Sequence, residues 1–149
     1  MRIGNLEIYR VEGHSMFPSY KEGELILVLN SQDIQPSSGA VVIVSRINGQ
    51  LKKVIKRVIG MPNDIVRIES RDLFINDKLI SPGTSRGIAN HYEGSWKLNQ
   101  NEYFVIGDNL IQSTDSRDFG PITSDEILSK VILKIWSNRI SRFFKNIFH

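Results

Sequence analysis

AVVIVSRINGQLKKVIKRVIG, residues 40–60, decides how the rest of the chain is read. Two runs rich in β-branched residues flank Asn48-Gly49. That dipeptide suits a tight hairpin, because both residues tolerate the positive φ such a turn demands. Runs of the same character recur at 24–29 (ELILVL), 64–69 (DIVRIE), 72–77 (DLFIND), 102–108 (EYFVIGD) and 126–136 (EILSKVILKIW). The separators are turn-forming: residues 35–39 (QPSSG), 62–64 (PND) and 81–83 (SPG), with Asn76-Asp77 suggesting a further hairpin. The chain therefore reads as mainly β, an antiparallel barrel or sandwich. Residues 82–100 show no clear period and read as a long surface loop, with a substrate-binding role as the second reading.

At 149 residues the chain suits one domain with a core of useful size. No window reaches the roughly 18 apolar residues that cross a bilayer. The opening MRIGNLEIYRVEG has no apolar core of a secretory signal. The expected location is therefore cytoplasmic or peripheral on a membrane. There are no cysteines, which excludes disulfides, thiolate metal sites and thiol nucleophiles. No metal site and no cofactor are expected.

The net charge of +3 is a property of the tail. Residues 130–149 hold Lys130, Lys134, Arg139, Arg142 and Lys145 and no acid, leaving 14 basic against 16 acidic residues before them. That distribution argues against nucleic acid as a partner of the body. Trp136, Ile140, Phe143, Phe144, Ile147 and Phe148 recur at helical spacing, with Arg139, Arg142 and Lys145 on other faces. The expectation is a basic amphipathic helix over 137–149, following a domain over 1–136. Its apolar stripe suits packing on the barrel or on a second copy. It equally suits a membrane surface, contacted through residues 136–148.

In VEGHSMFPSYKEGELILV, residues 11–28, Ser15 is a nucleophile only if a base takes its proton. Four bases offer themselves. His14 is adjacent, and neighbours on an extended segment point opposite ways. His91 lies in the irregular stretch and His149 ends the chain. The fourth is a lysine. Alternation along 52–60 places Val54, Lys56 and Val58 on one face and Ile55, Arg57 and Ile59 on the other, so either buried face takes a cation with it. A buried lysine loses hydration, its pKa falls, and the neutral amine can accept a proton. By itself the stretch favours the plainer outcome, a cation reaching back to water from a strand end.

Three segments in order change that balance: GHSMFP (13–18), KRVIGMPND (56–64) and GDNLIQSTDSRDFGP (107–121). With them the chain resembles the type I signal peptidases, serine endopeptidases with a Ser-Lys dyad, from about residue 9 to residue 136. The resemblance implies a mainly β catalytic domain in which Ser15 is the nucleophile and Lys56 the general base, with no metal. It implies that Ser113 orients the lysine and that the Ser15 N–H helps bind the oxyanion. Gly13, Met16, Pro18, Arg57, Gly107, Asp108, Asn109, Asp115, Ser116 and Arg117 would support the site. The implied partner is a precursor protein bearing an N-terminal leader peptide.

There are departures. Gly13 stands where some members have an oxyanion-hole serine, Asn63 where a glycine is usual, and Leu110 where an arginine often follows G-D-N. Typical members carry a transmembrane helix just before the nucleophile segment, and the 14 residues before Ser15 here contain no span; the expectation is a soluble specialist, a hold on the membrane through the C-terminal helix, or a chain that lacks an upstream segment. Short anchorless relatives include the maturation proteases of nickel-type superoxide dismutase, so a general secretory leader and that short leader both stand as substrates. The alternatives are a self-cleaving repressor-type Ser-Lys protease, and an inactive β-domain that binds leaders or membranes.

Overall fold

The computed structural model describes residues 2–3, 5–30, 34–47, 50–80 and 92–135. The expected helix over 137–149, His91 and the turn residues Asn48 and Gly49 lie outside the described residues.

Among the described residues, twelve strands form two sheets. The large sheet runs in the order β1 (Arg2–Ile3), β2 (Leu6–Arg10), β3 (Leu25–Asn30), β12 (Ile127–Ile135), β4 (Val41–Ile47), β5 (Gln50–Gly60), β10 (Glu102–Ile106), β11 (Ile122–Thr123). The small sheet runs β8 (Lys78–Leu79), β7 (Asp72–Ile75), β6 (Ile65–Glu69), β9 (Gly94–Lys97). Every pairing is antiparallel. A single helical turn, α1 (Ser116–Phe119), and a 3-10 turn at Ser124–Glu126 complete the described elements.

The opening stretch folds as its pattern demands. β4 and β5 pair from Val41↔Arg57 to Ile47↔Gln50. Asn76 and Asp77 adopt φ of 50° and 62° and join β7 to β8, with Ile75 opposite Lys78. Ser70 and Arg71, also at positive φ, join β6 to β7. Asn63 sits at φ 69°, a conformation asparagine tolerates well, so the exchange from glycine is mild.

The stretch expected to be loop throughout, 82–100, contains β9, which pairs Gly94–Lys97 with β6. The pairing buries part of Trp96 against Phe104, ring centroids 4.8 Å apart. One large aromatic among small and polar residues provided too little periodicity to show a strand.

Three apolar clusters hold the sheets. Phe104, Ile106 and Leu110 meet Val66, Ile68, Leu73 and Leu98 of the small sheet. Val42, Val44, Val58, Val105 and Ile127 form a second cluster. Met16 and Val11 join Ile26, Val28, Ile43 and Ile55 in the third, which roots the segment carrying Ser15.

Candidate functional site

β5 is covered on both faces at its centre, so one cation had to be buried. Ile55 and Val58 are buried beside Lys56, which is only 2% exposed. Lys56 pairs across the strand with Val42 and shares its face with Val54 and Val58. Among the described residues it makes no ion pair. Burial is the largest influence on its pKa and lowers it from 10.5 to about 8. Asp115 pushes the other way, Arg117 reinforces the lowering, and Asp118 opposes it. Asp115 is the largest of these charge influences, and its carboxylate is also paired with Arg117.

Arg57 takes the other face and the other solution. Its Nε and Nη2 donate to Asp108 Oδ1 and Oδ2 at 2.8 and 2.6 Å, and Nη1 donates to the Gly39 carbonyl at 2.8 Å. Adjacent cations on one strand thus have different fates: a paired, half-exposed guanidinium and an unpaired, buried amine.

Ser15 and Lys56 line one cavity of about 670 Å³. One wall is the segment from Ile8 to Ser15, and the other is β5 from Lys52 to Lys56; Gln112 and Thr114 also line it. The Ser15 carbonyl accepts from the Asn109 N–H at 2.9 Å, and Asn109 Nδ2 donates to the His14 carbonyl at 3.1 Å. Gly107 lies against the same point. A Cβ there would overlap Ser113 Oγ and the Ser15 carbonyl oxygen. Ser113 Oγ is buried and has no hydrogen-bond partner among the described residues. Gly13 adopts φ 74° with open space where a Cβ would be. Glycine is favoured there by the backbone and not by crowding.

Behind these groups stands a buried ion pair. Arg117 Nε and Nη2 donate to Asp115 Oδ1 and Oδ2 at 2.8 and 2.9 Å, and Nη1 donates to the Leu110 carbonyl. Asp115 Oδ2 also accepts from the Gly107 N–H at 2.9 Å, and the Asp115 side chain caps α1. Ser116 Oγ accepts from the Val105 N–H. The loop 107–117 is therefore held from within, and through Asn109 it holds Ser15. Leu110, whose effect the sequence left open, is buried in the cluster between the sheets.

His14 is exposed and lies 3.6 Å from Glu22. Pro18 lines a neighbouring cavity of about 430 Å³ with Ser19, Gly107 and Asp108. Met16 follows Ser15 directly and would support the site if it shielded Lys56. It packs instead with Ile26, Ile43 and Ile55, on the face of the sheet opposite Val42 and Lys56, because alternate residues of β4 and β5 face opposite ways.

Two contributions went unnoticed in the sequence. Lys134 donates to the Ser19 carbonyl and pairs with Glu24 at 3.0 Å, tying β12 to the segment after Ser15. Tyr9 hydrogen-bonds Lys53 across the cavity at 3.1 Å. The alternation in LEIYR was a signal for β2, and so for Tyr9.

Comparison with known proteins defines the class. The family model described as "Signal peptidase, peptidase S26" matches residues 1–136. Signal peptidase I V of Bacillus subtilis is 32% identical over 137 residues, spanning 83% of this chain and 82% of its own. Signal peptidase I of Bacillus caldolyticus is 32% identical over 151 residues, spanning 91% and 82%. The fold resembles a crystal structure of a signal peptidase I from Enterococcus faecalis, with a TM-score of 0.53, 23% identity, and coverage of 67% of this chain and 98% of that one. The chain belongs to the signal peptidase family, peptidase S26, and is a serine endopeptidase of that family. Among the described residues no helix is long and apolar enough to cross a membrane.

Proposed function

We propose that this chain removes an N-terminal leader peptide from a precursor protein by a Ser15-Lys56 dyad. The observation that carries the proposal is the unpaired, buried Lys56, with its pKa near 8, in one cavity with Ser15. Neutral Lys56 takes the Ser15 hydroxyl proton as Oγ attacks the scissile carbonyl. The resulting ammonium returns the proton to the leaving amine, giving an acyl-enzyme. Water, activated by the same amine, then releases the acyl group and regenerates Ser15.

Three further observations support the assignment. The Ser15 N–H donates to no protein acceptor among the described residues, which leaves it for the tetrahedral oxyanion. Ser113 Oγ is an orphaned buried hydroxyl, and such groups call for a partner. An ammonium on Lys56 would supply one, which suits Ser113 to orient the base. Gly107 and Asn109 keep the Ser15 main chain at that corner, while Asp108, Arg57, Asp115, Ser116 and Arg117 brace it. A serine at position 13 would need positive φ, so Gly13 leaves the second oxyanion donor to another group.

The substrate is a general secretory leader or the short leader of a nickel-type superoxide dismutase. The test is intact-mass analysis of each precursor incubated with the wild-type chain and with Lys56→Arg in detergent micelles. Cleavage at one position by the wild type alone is expected. Equal cleavage by Lys56→Arg would remove the lysine from the mechanism, since a guanidinium stays protonated.

A further inference from the structure

The cavity holding Ser15 and Lys56 is not uniform along its length. Its two walls, residues 8–15 and 52–56, carry the reacting groups at one end and Tyr9, Arg10, Lys52 and Lys53 at the other. Lys52 and Lys53 are exposed and have no carboxylate partner among the described residues. Lys53 is nevertheless held in place. Its Nζ donates to the Tyr9 hydroxyl at 3.1 Å and stands 5.2 Å from the centre of that ring. Both contacts are to neutral groups, so its charge is oriented without being neutralised. Arg10 donates to the Gly23 carbonyl, also neutral. Glu12 is the single acid lining the cavity. Apart from the reacting end, the lining therefore carries three cations, Arg10, Lys52 and Lys53, against the one carboxylate of Glu12.

We propose that Lys52 and Lys53 are specificity-determining residues, selecting substrates with a carboxylate three to five residues from the scissile bond, on the side that lies along β5. The register follows from strand geometry. Lys53 and Lys52 precede Lys56 by three and four positions, roughly 10 and 13 Å at about 3.3 Å per residue, and the pairing shift between Val44↔Val54 and Arg46↔Leu51 sets both opposite Ser45, a bulge that interrupts the alternation of faces so that both line the groove. An extended peptide with its reacting carbonyl at Ser15 has the same repeat, so its side chains fall beside the lysines at that distance. The occupant is a peptide and not a lipid headgroup, because Lys53 is fixed across a groove between two walls. The inference rests on the proposed function, in that the groove must receive the substrate. Partly exposed ion pairs are individually worth a few-fold, so the two lysines together favour the acidic peptide by about three- to tenfold.

The experiment separates selection from catalysis. A labelled leader-type peptide series, with Asp, Asn or Lys scanned through positions one to seven on both sides of the bond, is measured in two ways. Binding uses Ser15→Ala, which needs no chemistry. Cleavage uses the wild type, read as the ratio of kcat/KM for Asp over Asn. Both are repeated with the Lys52→Glu/Lys53→Glu variant. The expected result is an Asp preference confined to one register, weakening with salt and reversed to a Lys preference in the double variant. Cleavage without that preference, or a charge effect equal at every position, overturns the inference and leaves the dyad standing. Asp-selective binding without cleavage by the wild type supports the inference and removes the dyad. A double variant that loses binding to anionic vesicles, with the peptide ratio unchanged, assigns the lysines to a lipid surface and overturns it too.

Discussion

The pH dependence of cleavage should carry the signature of Lys56. With a pKa near 8, about a tenth of the enzyme is in the neutral, active form at pH 7 and about nine-tenths at pH 9. The single-turnover rate on a saturating leader peptide should therefore rise about tenfold across that interval and level off. An unshifted lysine would give a rise of about a hundredfold with no plateau below pH 10. A histidine base would leave the rate nearly flat above pH 8. The same lowering sets a stability window. Between the folded pKa near 8 and the unfolded value of 10.5, the unfolded chain binds a proton that the native chain has released, so stability rises with pH. Below pH 8 both states hold the proton and the contribution vanishes. Between pH 7 and 9.5 the gain amounts to about 2 kcal/mol. Urea unfolding of the wild type and of Lys56→Met at both pH values isolates it, because methionine cannot titrate and fills a similar volume. The difference between the two proteins should change by that amount. A pH-independent difference, together with a rate inflection near 6.5, would refute the buried-lysine reasoning.

Lys56→Arg should reduce cleavage to background, while His91→Ala leaves it near wild type, both read by intact mass. Gly107→Ala places a methyl group against Ser113 Oγ and the Ser15 carbonyl; kcat should fall at least tenfold, measured by single-turnover cleavage. Asp115→Ala leaves the Arg117 guanidinium buried without its partner; a loss of about 3–5 kcal/mol is expected by urea denaturation. Truncation after residue 138 removes the basic, aromatic tail and should reduce co-sedimentation with anionic vesicles; unchanged sedimentation would favour a packing or dimer role for that segment.

The long β-branched runs were legible because a strand with a covered face needs apolar residues in alternation or in blocks. β1, β9 and β11 were not, being short or mixed, and defined by which neighbour they pair with; β2 had a signal in the alternation of LEIYR that went unused. The fate of β5 shows the limit well. Alternation stated that a buried face would carry a cation, but both faces of the strand are covered at its centre, so pattern alone could not choose between Lys56 and Arg57. The choice rests on Asp108, 51 residues away, which reaches Arg57 and leaves Lys56 unpaired. The resemblance named Gly107 and Asn109, but periodicity could not show how they act: the Asn109 N–H and side chain and the missing side chain at Gly107 seat the carbonyls of Ser15 and His14. The place of Met16 depended on strand parity across the sheet, which neighbouring residues do not reveal.

The contacts that seat Ser15 also set when it can act. His14 is held by Asn109, 95 positions later, and Ser19 by Lys134, 115 positions later. During synthesis the serine is made well before either anchor exists. Non-local contacts of this kind close only after the intervening chain has been made. A nascent chain therefore carries no assembled protease, and fragments ending before β12 should be inert toward the ribosome's other products and toward themselves.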